Sequence, residues 1–389
     1  MGRNIQIHKG DRKKLKINNN YSECLTNLAC SIRKYFELDY KHNTLEYIDK
    51  ILEEKQPKNV VTILFDGMGS KILDKILPPN SFLLSHRFKE ISTVFPATTV
   101  AATTSITTGL NPVETGMLGW NMYFKEIDKT IATFKGCEKG SKDKSPLEEA
   151  EAFKKKYMKT KTIMEDINEK GKYKGYKLFP FGEEPYGDLD EMLNKIEKLC
   201  SEDGKKYIYA YDTEPDHLMH RFGTYCSEVK DLIRYRNFMI EKLCDKLEDT
   251  IIFIVADHGH IPVENIHLEN YPEIVECLRQ NTSIEPRAVN FFIKKDKKEK
   301  FVQLFNESFG NYFNLYSKQE VIDSQLFGDG EENPIFDSAL GDFLAIAKEN
   351  KTILFNGDTE FLSQHAGITD DEILVPLIVV QKGPGLFGT

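Results

Sequence analysis

The chain has 389 residues, of which 40% are hydrophobic, and a formal net charge of −9. No hydrophobic run approaches the roughly 20 residues that span a bilayer, and the basic start of the chain lacks the apolar segment of a secretory signal. The negative charge argues against binding to a nucleic acid polymer, which requires a clustered positive surface. Seven scattered cysteines without CxxC spacing favour free thiols, so we expect a cytoplasmic protein with no membrane partner.

Apolar, β-branched runs alternate with helical segments along most of the chain. Helical patterns over 20–58 precede the strand-like run VVTILF, which ends directly before Asp66. The same order of buried strand and acidic residue recurs at YIYAY before Asp212 and at IIFIVA before Asp257, with a helical stretch over 228–247 between them. This alternation is typical of an α/β protein with a mainly parallel sheet, in which ligands bind at the carboxyl ends of the strands.

The length of the chain predicts more than one structural unit, because a single core usually stops growing at roughly 250 to 300 residues. The pattern changes after the ADHGH segment. Residues 262–341 contain a strand-like RAVNFFI, a helical KKEKFVQLFNESF and a loop rich in Gly, Asp and Asn. We predict that 262–341 is an inserted α+β cap subdomain and that the core comprises 20–261 and 342–389.

Asp, His and Thr side chains gather at the ends of the hydrophobic runs in five short motifs. The motifs are FDGMG from Phe65, FPATTVAATTSITTGL from Phe95, EPDHLMH from Glu214, ADHGH from Ala256 and QHAGIT from Gln364. If they converge in space, they supply three His, three Asp and one Thr hydroxyl, which is enough to hold two divalent metals with a nucleophile between them. The sequence therefore predicts a two-metal site for phosphoryl transfer.

The spacing within two of these motifs indicates how the ligands are placed. Asp216 and His220 are four residues apart, so one helical turn puts them on one face, within reach of one metal. Asp257 and His258 follow a strand and precede a glycine, where the backbone can turn sharply and direct both side chains at one place. Two neighbouring histidines are expected to face solvent or to pack: His217 and His260.

The stretch from Pro96 to Leu110 contains six threonines in fifteen residues. A helix that begins near Thr99 would direct free backbone amides, and the positive end of its dipole, at a phosphate. A Thr hydroxyl in that place can bind a metal, lose its proton and attack phosphorus. The alternative is that Thr98 or Thr99 only caps the helix, and the two roles can also be divided between these neighbours.

These motifs resemble those of the alkaline phosphatase superfamily, and most closely its type I phosphodiesterase and nucleotide pyrophosphatase branch. That branch has its nucleophilic Thr three residues after a Pro and ten before the Gly of a TGL turn, which selects Thr99 here. The similarity continues through NPVETG, LGWNMY, EPDHLMH, ADHGH and QHAGITDDEILVPLIVV, from about residue 58 to the C-terminus. The resemblance implies a three-layer α/β/α core with a mainly parallel sheet.

The resemblance also implies a cofactor of two divalent metal ions, which are zinc in most of the superfamily and manganese in its mutase branches. By position, the two sets of ligands would be Asp216, His220 and His365 for one ion, and Asp66, Asp257, His258 and Thr99 for the other. Thr99 would attack phosphorus in line and form a covalent ester, which water then hydrolyses. Zinc is the first expectation and manganese the alternative, because ligands of these types suit either metal.

Substrate preference depends on the residues that follow the TGL turn. In this branch an Asn helps to bind a non-bridging phosphate oxygen; Asn121 lies one position later than an ungapped alignment requires, and Trp120 occupies the matching place. Asn121 is a candidate for that contact, and Trp120 is a candidate for stacking on a base or sugar, with packing as the alternative. No Arg follows the nucleophile to bind a monoester dianion, so diesters are favoured.

The sequence thus predicts a metal-dependent hydrolase that cleaves phosphodiester or phosphoanhydride bonds in a small phosphorylated substrate such as a nucleotide. A phosphomonoesterase and a phosphosugar mutase of the same superfamily are the enzymatic alternatives. The remaining alternative is a non-catalytic protein that binds phosphorylated ligands through a decayed site, although neither a ligand nor the nucleophile is missing from the motifs. The oligomeric state does not follow from the sequence.

Overall fold

The computed structural model describes residues 20–182 and 184–382, so the basic start of the chain and residues 383–389 of the predicted core lie outside the described residues. The helices are α1 (Leu25–Tyr35), α2 (Glu46–Lys55), α3 (Ser70–Ile76), α4 (Phe82–Ser85), α5 (Thr99–Thr108), α6 (Pro112–Thr115), α7 (Glu148–Tyr157), α8 (Ile163–Lys170), α9 (Leu189–Ser201), α10 (Asp216–Phe222), α11 (Ser227–Lys246), α12 (Pro272–Val275), α13 (Lys298–Phe309), α14 (Lys318–Asp323), α15 (Phe336–Ala339) and α16 (Asp370–Ile373). Short 3-10 helices cover Leu268–Asn270 and Lys295–Lys297. Among the described helices, none combines the length and the apolar character that a membrane span needs.

The strands belong to two large sheets and two small ones. They are β1 (Asn59–Phe65), β2 (Arg87–Ser92), β3 (Asn121–Phe124), β4 (Lys129–Ala132), β5 (Lys174–Leu178), β6 (Lys206–Asp212), β7 (Thr250–Val255), β8 (Ile261–Pro262), β9 (Glu264–His267), β10 (Ser283–Glu285), β11 (Ala288–Phe291), β12 (Phe313–Ser317), β13 (Phe343–Ala347), β14 (Lys351–Leu354), β15 (Ser363–Gln364) and β16 (Leu374–Lys382). The small sheets pair β14 with β9 and β15 with β8.

The central sheet has the strand order β2-β16-β7-β1-β6-β5. Strands β7, β1, β6 and β5 are parallel to one another, and β16 runs antiparallel to β7 and β2. Every residue of β1, β6 and β7 is buried, as expected for parallel strands covered on both faces. Two separate groups of helices cover the sheet, one containing α1, α5 and α8 and the other α3, α9 and α11. The predicted α/β fold class with a mainly parallel sheet is confirmed.

The register of the central strands brings their carboxyl ends to one edge of the sheet. Phe65 of β1 pairs with Asp212 of β6, and Leu64 pairs with Val255 of β7. The residues that follow these strands therefore emerge side by side. This edge carries the acidic residues of three of the predicted motifs.

The second large sheet is antiparallel and has the strand order β12-β13-β11-β10-β3-β4. Strands β10, β11 and β12 come from the predicted inserted range 262–341, but β3, β4 and β13 come from the segments on either side of it. The pairing of Ile284 with Asn121 connects β10, which lies inside the predicted insertion, to β3, which lies outside it. The predicted boundaries at 261 and 342 thus cross a continuous sheet, and the division into domains stays a prediction.

Candidate active site

Thr99 is the first residue of α5 and lies at the carboxyl edge of the central sheet. Its Oγ1 is 3.4 and 3.3 Å from the two carboxylate oxygens of Asp66 and 3.3 Å from Nε2 of His258. The residue is 9% exposed. The helix ends at Gly109, whose φ of 77° lies in the left-handed region that glycine adopts without strain. The Thr99 hydroxyl is therefore held at a helix N-terminus between a carboxylate and an imidazole.

Thr98 occupies the N-cap position of α5, but its side chain does not accept a hydrogen bond from the helix amides. Its hydroxyl instead donates to Oε1 of Glu285 at 2.6 Å. The sequence left open whether one of the two threonines serves only as a cap. In the structure neither side chain has that role, because Thr99 contacts Asp66 and His258.

The first acidic cluster consists of Asp66, Asp257 and His258, whose potential ligand atoms all lie within 4.8 Å of one another. Nδ1 of His258 donates to the carbonyl oxygen of Gly259 at 3.1 Å, and Nε2 lies 3.3 Å from Oδ1 of Asp66. Oδ1 of Asp257 accepts from the amide of Gly67 at 2.9 Å. Oδ2 of Asp257 is buried without a hydrogen-bond partner, as expected of an atom that awaits a ligand.

Burial and neighbouring carboxylates oppose ionisation of both acids in this cluster. Burial, together with the charge of Asp216, raises the pKa of Asp66 well above its ordinary value. Burial and the charge of Asp66 do the same to the pKa of Asp257. Within the described residues, no Lys or Arg forms an ion pair with either carboxylate. A cation bound between them would favour the ionised forms, so the donor set fits a divalent metal.

The second cluster is built around Asp216, the first residue of α10. Its Oδ1 lies 3.2 Å from Nε2 of His220 and 3.9 Å from Nε2 of His365. Nδ1 of His220 donates to the carbonyl of Ser363, and Nδ1 of His365 donates to the carbonyl of Ala97, each at 2.9 Å. Because a carbonyl can only accept, Nδ1 carries the proton in the neutral form of each ring, and Nε2 is then the nitrogen that can act as a ligand.

The carboxylate and the imidazoles of this cluster shift one another's pKa. Burial opposes the charge on Asp216, but His220 and His260 outweigh it and hold the pKa of the carboxyl well below its ordinary value. Asp216 in turn overcomes burial and raises the pKa of His220. Burial and the neighbouring imidazoles lower the pKa of His365. The lowered pKa keeps His365 neutral, as a ligand must be, whereas the raised pKa of His220 favours its protonated form, and a metal bound there would take the place of that proton.

The two clusters adjoin each other. The rings of His258 and His365 stack with centroids 3.7 Å apart and an angle of 15° between the planes. One potential ligand atom of His258 lies within 4.8 Å of those of Asp216, His260 and His365. The structure thus brings all seven predicted residues together, and the stacked pair of histidines joins the two clusters. The seven residues are Asp66, Thr99, Asp216, His220, Asp257, His258 and His365.

His260 is a site residue that the sequence analysis missed. It is fully buried, and its Nε2 lies 2.6 Å from Oδ1 of Asp216. Burial lowers the pKa of His260 to about 4, so the imidazole is neutral and donates one hydrogen bond to that carboxylate. The available signal was the alternation in DHGH, which places His258 and His260 on one side of an extended segment. His217, by contrast, has a side chain that is 64% exposed.

An aromatic strip, defined as Phe179, Phe181 and Tyr211, leads from the surface to the first cluster. The Tyr211 hydroxyl donates to Oδ2 of Asp66. The rings of Phe179 and Phe181 lie 5.8 and 6.2 Å from the Tyr211 ring, and Phe181 is 59% exposed. The sequence analysis did not identify these residues, although Tyr211 ends the YIYAY run that precedes the DxxxH motif.

The two predicted substrate contacts lie beside Glu285. Asn121 begins β3, is 9% exposed and lines one narrow crevice together with Glu285 and Lys139. The Trp120 amide donates to Oε1 of Glu285 at 2.7 Å. The Trp120 ring packs edge-on against Phe134, with centroids 6.2 Å apart. The roles predicted for Asn121 and Trp120 stay predictions.

A sequence model of the type I phosphodiesterase/nucleotide pyrophosphatase family matches residues 60–368. The chain belongs to this family. The match includes every predicted site residue from Asp66 to His365, and it confirms the resemblance carried by the motifs. This family member is therefore an enzyme, a phosphoric ester hydrolase of the phosphodiesterase and nucleotide pyrophosphatase type.

Solved structures with the same fold include ectonucleotide pyrophosphatase/phosphodiesterase 5 from mouse and human. The murine protein, in an inactive form in complex with AMP, aligns with a TM-score of 0.61 at 16% identity, over 84% of this chain and 88% of that chain. The human protein aligns with a TM-score of 0.62 at 17% identity over the same shares. At these identities the likeness of the family member to them shows the fold alone. No curated protein sequence matches the chain.

Proposed function

We propose that this protein is a metal-dependent phosphodiesterase that cleaves phosphodiester or phosphoanhydride bonds of small, nucleotide-like substrates through a covalent intermediate on Thr99. The observation that carries the proposal is the position of the Thr99 hydroxyl. It lies 3.3 Å from both Asp66 and His258, at the N-terminus of α5 and beside two clusters of buried carboxylates and imidazoles. A hydroxyl in these surroundings is suited to nucleophilic attack.

We assign the metals to the two predicted sets of side chains. Asp216, His220 and His365 would hold one divalent ion, and Asp66, Asp257, His258 and Thr99 would hold the other. Bound there, the two ions would supply positive charge that favours loss of the Thr99 proton and stabilises the charge developing on the phosphoryl oxygens. We propose zinc first and manganese as the alternative, since the nitrogen and carboxylate donors suit both.

The bond and proton transfers at phosphorus involve groups of the protein itself. Thr99 Oγ1 forms a bond to phosphorus while the bond from phosphorus to the leaving oxygen breaks, and the group retained on Thr99 is a phosphodiester. The Asp66 carboxylate and Nε2 of His258, each 3.3 Å away, are both within reach of the hydroxyl proton. Water then attacks phosphorus and releases Thr99. The free backbone amides at the start of α5 face the phosphate throughout.

The aromatic strip supports a substrate with a planar ring. An exposed ring at Phe181 and a buried one at Tyr211 form a continuous apolar wall that ends at Asp66. Nucleobases stack on such rings. The murine protein of the same fold was solved in complex with AMP, a nucleotide, and this supports a ligand of that class. We therefore propose a small nucleotide rather than a sugar phosphate as the substrate.

We also propose that the protein works in the cytoplasm. All seven cysteines are unpaired, and all but Cys226 are buried. Buried free thiols are common where the cellular environment is reducing. Its location in cells, visualised with a fluorescent fusion, tests this point; a secreted pool of active protein would contradict it.

The test of the proposed function compares two chromogenic esters. Protein stripped with a chelator is reloaded with zinc or manganese and assayed with bis(p-nitrophenyl) phosphate and p-nitrophenyl phosphate. We expect faster hydrolysis of the diester, and a loss of about 10³-fold or more in Thr99→Ala. Thr104→Ala is the matched control, because Thr104 lies in the same helix and its hydroxyl bonds the carbonyl of Val100 within that helix. Full turnover in Thr99→Ala would contradict the proposal.

A further inference from the structure

Glu285 joins two segments of the chain that are distant in sequence. Its Oε1 accepts one hydrogen bond from the Thr98 hydroxyl at 2.6 Å and another from the Trp120 amide at 2.7 Å. Glu285 lies at the end of β10 and is 6% exposed. Burial raises the pKa of this carboxyl to about 7, against the opposing effect of the two hydrogen bonds.

Each segment continues into a predicted site residue. Thr98 immediately precedes Thr99, and its hydroxyl bonds Glu285 instead of the amides of α5. Trp120 immediately precedes Asn121, the candidate contact for a phosphate oxygen. One carboxylate oxygen therefore fixes the separation between the nucleophile and that candidate contact.

The surroundings leave the Trp120 segment little freedom to adjust. A Cβ atom on Gly119 would lie 2.9 Å from Cα of Ile284. This distance is too short for any side chain, so the close approach of the two segments requires glycine. Thr133 bonds this segment from the other side, with its amide donating to the carbonyl of Trp120 and its hydroxyl to that of Gly119, both at 2.7 Å. Glu285 completes this set of fixed contacts.

We propose that Glu285 is a positioning residue for phosphodiester cleavage, which holds Thr99 through Thr98 and Asn121 through Trp120. The inference rests on the proposed function, because it needs Thr99 to be the nucleophile. Without the acceptor, a buried hydroxyl and a buried amide lose their partner, and both segments must move to find another. A shift of about 1 Å at a reacting group lowers the rate on the order of 100-fold.

Four variants separate this role from a purely structural one. Glu285→Ala removes the acceptor, Thr98→Val removes one donor, and Glu285→Gln keeps an oxygen that can accept both bonds. Glu114→Gln is the matched control, since Glu114 is also a buried carboxylate that bonds a backbone amide, that of Asn111, but has no contact with the site. Each variant is assayed with thymidine 5′-monophosphate p-nitrophenyl ester, beside measurements of zinc content and melting temperature.

We expect Glu285→Ala and Thr98→Val to lower kcat by about 100-fold while zinc content stays at the wild-type level. Their double variant should lose little more than either one, because both changes break the same link. Glu285→Gln should restore most of kcat, and Glu114→Gln should match the wild type. If Glu285→Ala does not fold, Thr98→Val and Glu285→Gln still decide the question.

Two outcomes would overturn the inference, and they are distinguishable. If Thr98→Val and Glu285→Ala keep the kcat of the Glu114→Gln control while Thr99→Ala is inactive, Glu285 has no positioning role and the proposed function stands. If Thr99→Ala itself turns over the ester at the wild-type rate, the proposed function fails and the inference fails with it.

Discussion

Arg287 and Glu372 form a fully buried ion pair with two parallel hydrogen bonds, Nε to Oε1 at 2.6 Å and Nη2 to Oε2 at 2.8 Å. Arg287 lies between β10 and β11 of the second sheet, and Glu372 lies in α16. The Glu372 carboxylate also accepts from the Gly367 amide at 2.7 Å and from the Thr369 hydroxyl at 2.8 Å. The pair thus fastens the loop that carries His365 to the second sheet.

We predict that Arg287→Ala lowers the free energy of unfolding by about 3–5 kcal/mol, because it leaves a buried carboxylate without its counter-charge. Lys172→Ala is the control. It breaks an ion pair with Glu37 in which both side chains are 58% exposed, and it should cost less than about 1 kcal/mol. Urea denaturation of the three proteins measures the difference. An equally small loss in both variants would show that the buried pair does not stabilise the fold.

The contact between His260 and Asp216 predicts an effect on metal binding. His260→Ala removes the group that orients the Asp216 carboxylate, and such a loss typically lowers metal affinity by about 10–100-fold. Competition with a chromophoric chelator measures the affinity. His217→Ala, at the exposed neighbour of Asp216, should leave the affinity unchanged. Equal affinities in the two variants would mean that His260 does not support this cluster.

The aromatic strip predicts selectivity for substrates with a base. Phe181→Ala should raise the KM for thymidine 5′-monophosphate p-nitrophenyl ester by about tenfold, the loss of one stacking contact, and change the KM for methyl p-nitrophenyl phosphate little. Phe88→Ala is the matched control, because Phe88 is similarly exposed, at 50%, and packs on Tyr47 instead. A parallel change of KM for both esters would assign Phe181 no role in recognising the base.

The raised pKa of Glu285 predicts that the free energy of unfolding of the metal-free protein depends on pH. Its ordinary pKa is 4.5, and burial raises the pKa in the folded state to about 7. Below about pH 4.5 the carboxyl is protonated in both the folded and the unfolded protein, and above about pH 7 it is ionised in both. Between these values the folded protein binds the proton more tightly than the unfolded chain does, so the wild type loses stability as the pH rises. The loss is at most about 3 kcal/mol.

Glu285→Gln cannot titrate, so its stability relative to the wild type should increase between pH 5 and pH 8. Chemical denaturation of chelator-treated protein at the two pH values gives the comparison. A stability difference that is the same at both pH values would show that Glu285 ionises in the folded state as it does in the unfolded chain.

Much of the central sheet follows from the sequence, since VVTILF, YIYAY and IIFIVA are mostly apolar, aromatic or β-branched. Parallel neighbours end at one edge, so the acidic residues that follow them meet there. The Asp216–His220 spacing indicates one pair of candidate ligands, and the resemblance of the motifs to the family implies the full ligand sets, which stay predictions. These features are local in sequence, which is why a pattern can reveal them.

The second sheet is different, because its strands are short and pair over long distances. NMYF and KTIA have four residues each, and Asn121 pairs with Ile284, which is distant in sequence. Glu285 carries no local signal at all; its importance arises only when β10 lies beside the start of α5. Contacts made by tertiary packing alone are the ones that sequence patterns miss.

The central claim, that Thr99 forms a covalent intermediate, can be tested by trapping it. Zinc-loaded protein is mixed with thymidine 5′-monophosphate p-nitrophenyl ester, quenched in acid within the first turnovers, digested and analysed by mass spectrometry. We predict a thymidylyl group on the peptide that contains Thr99, located on Thr99 itself and absent from Thr99→Ala. Sustained release of p-nitrophenol with the group on another residue would contradict the account.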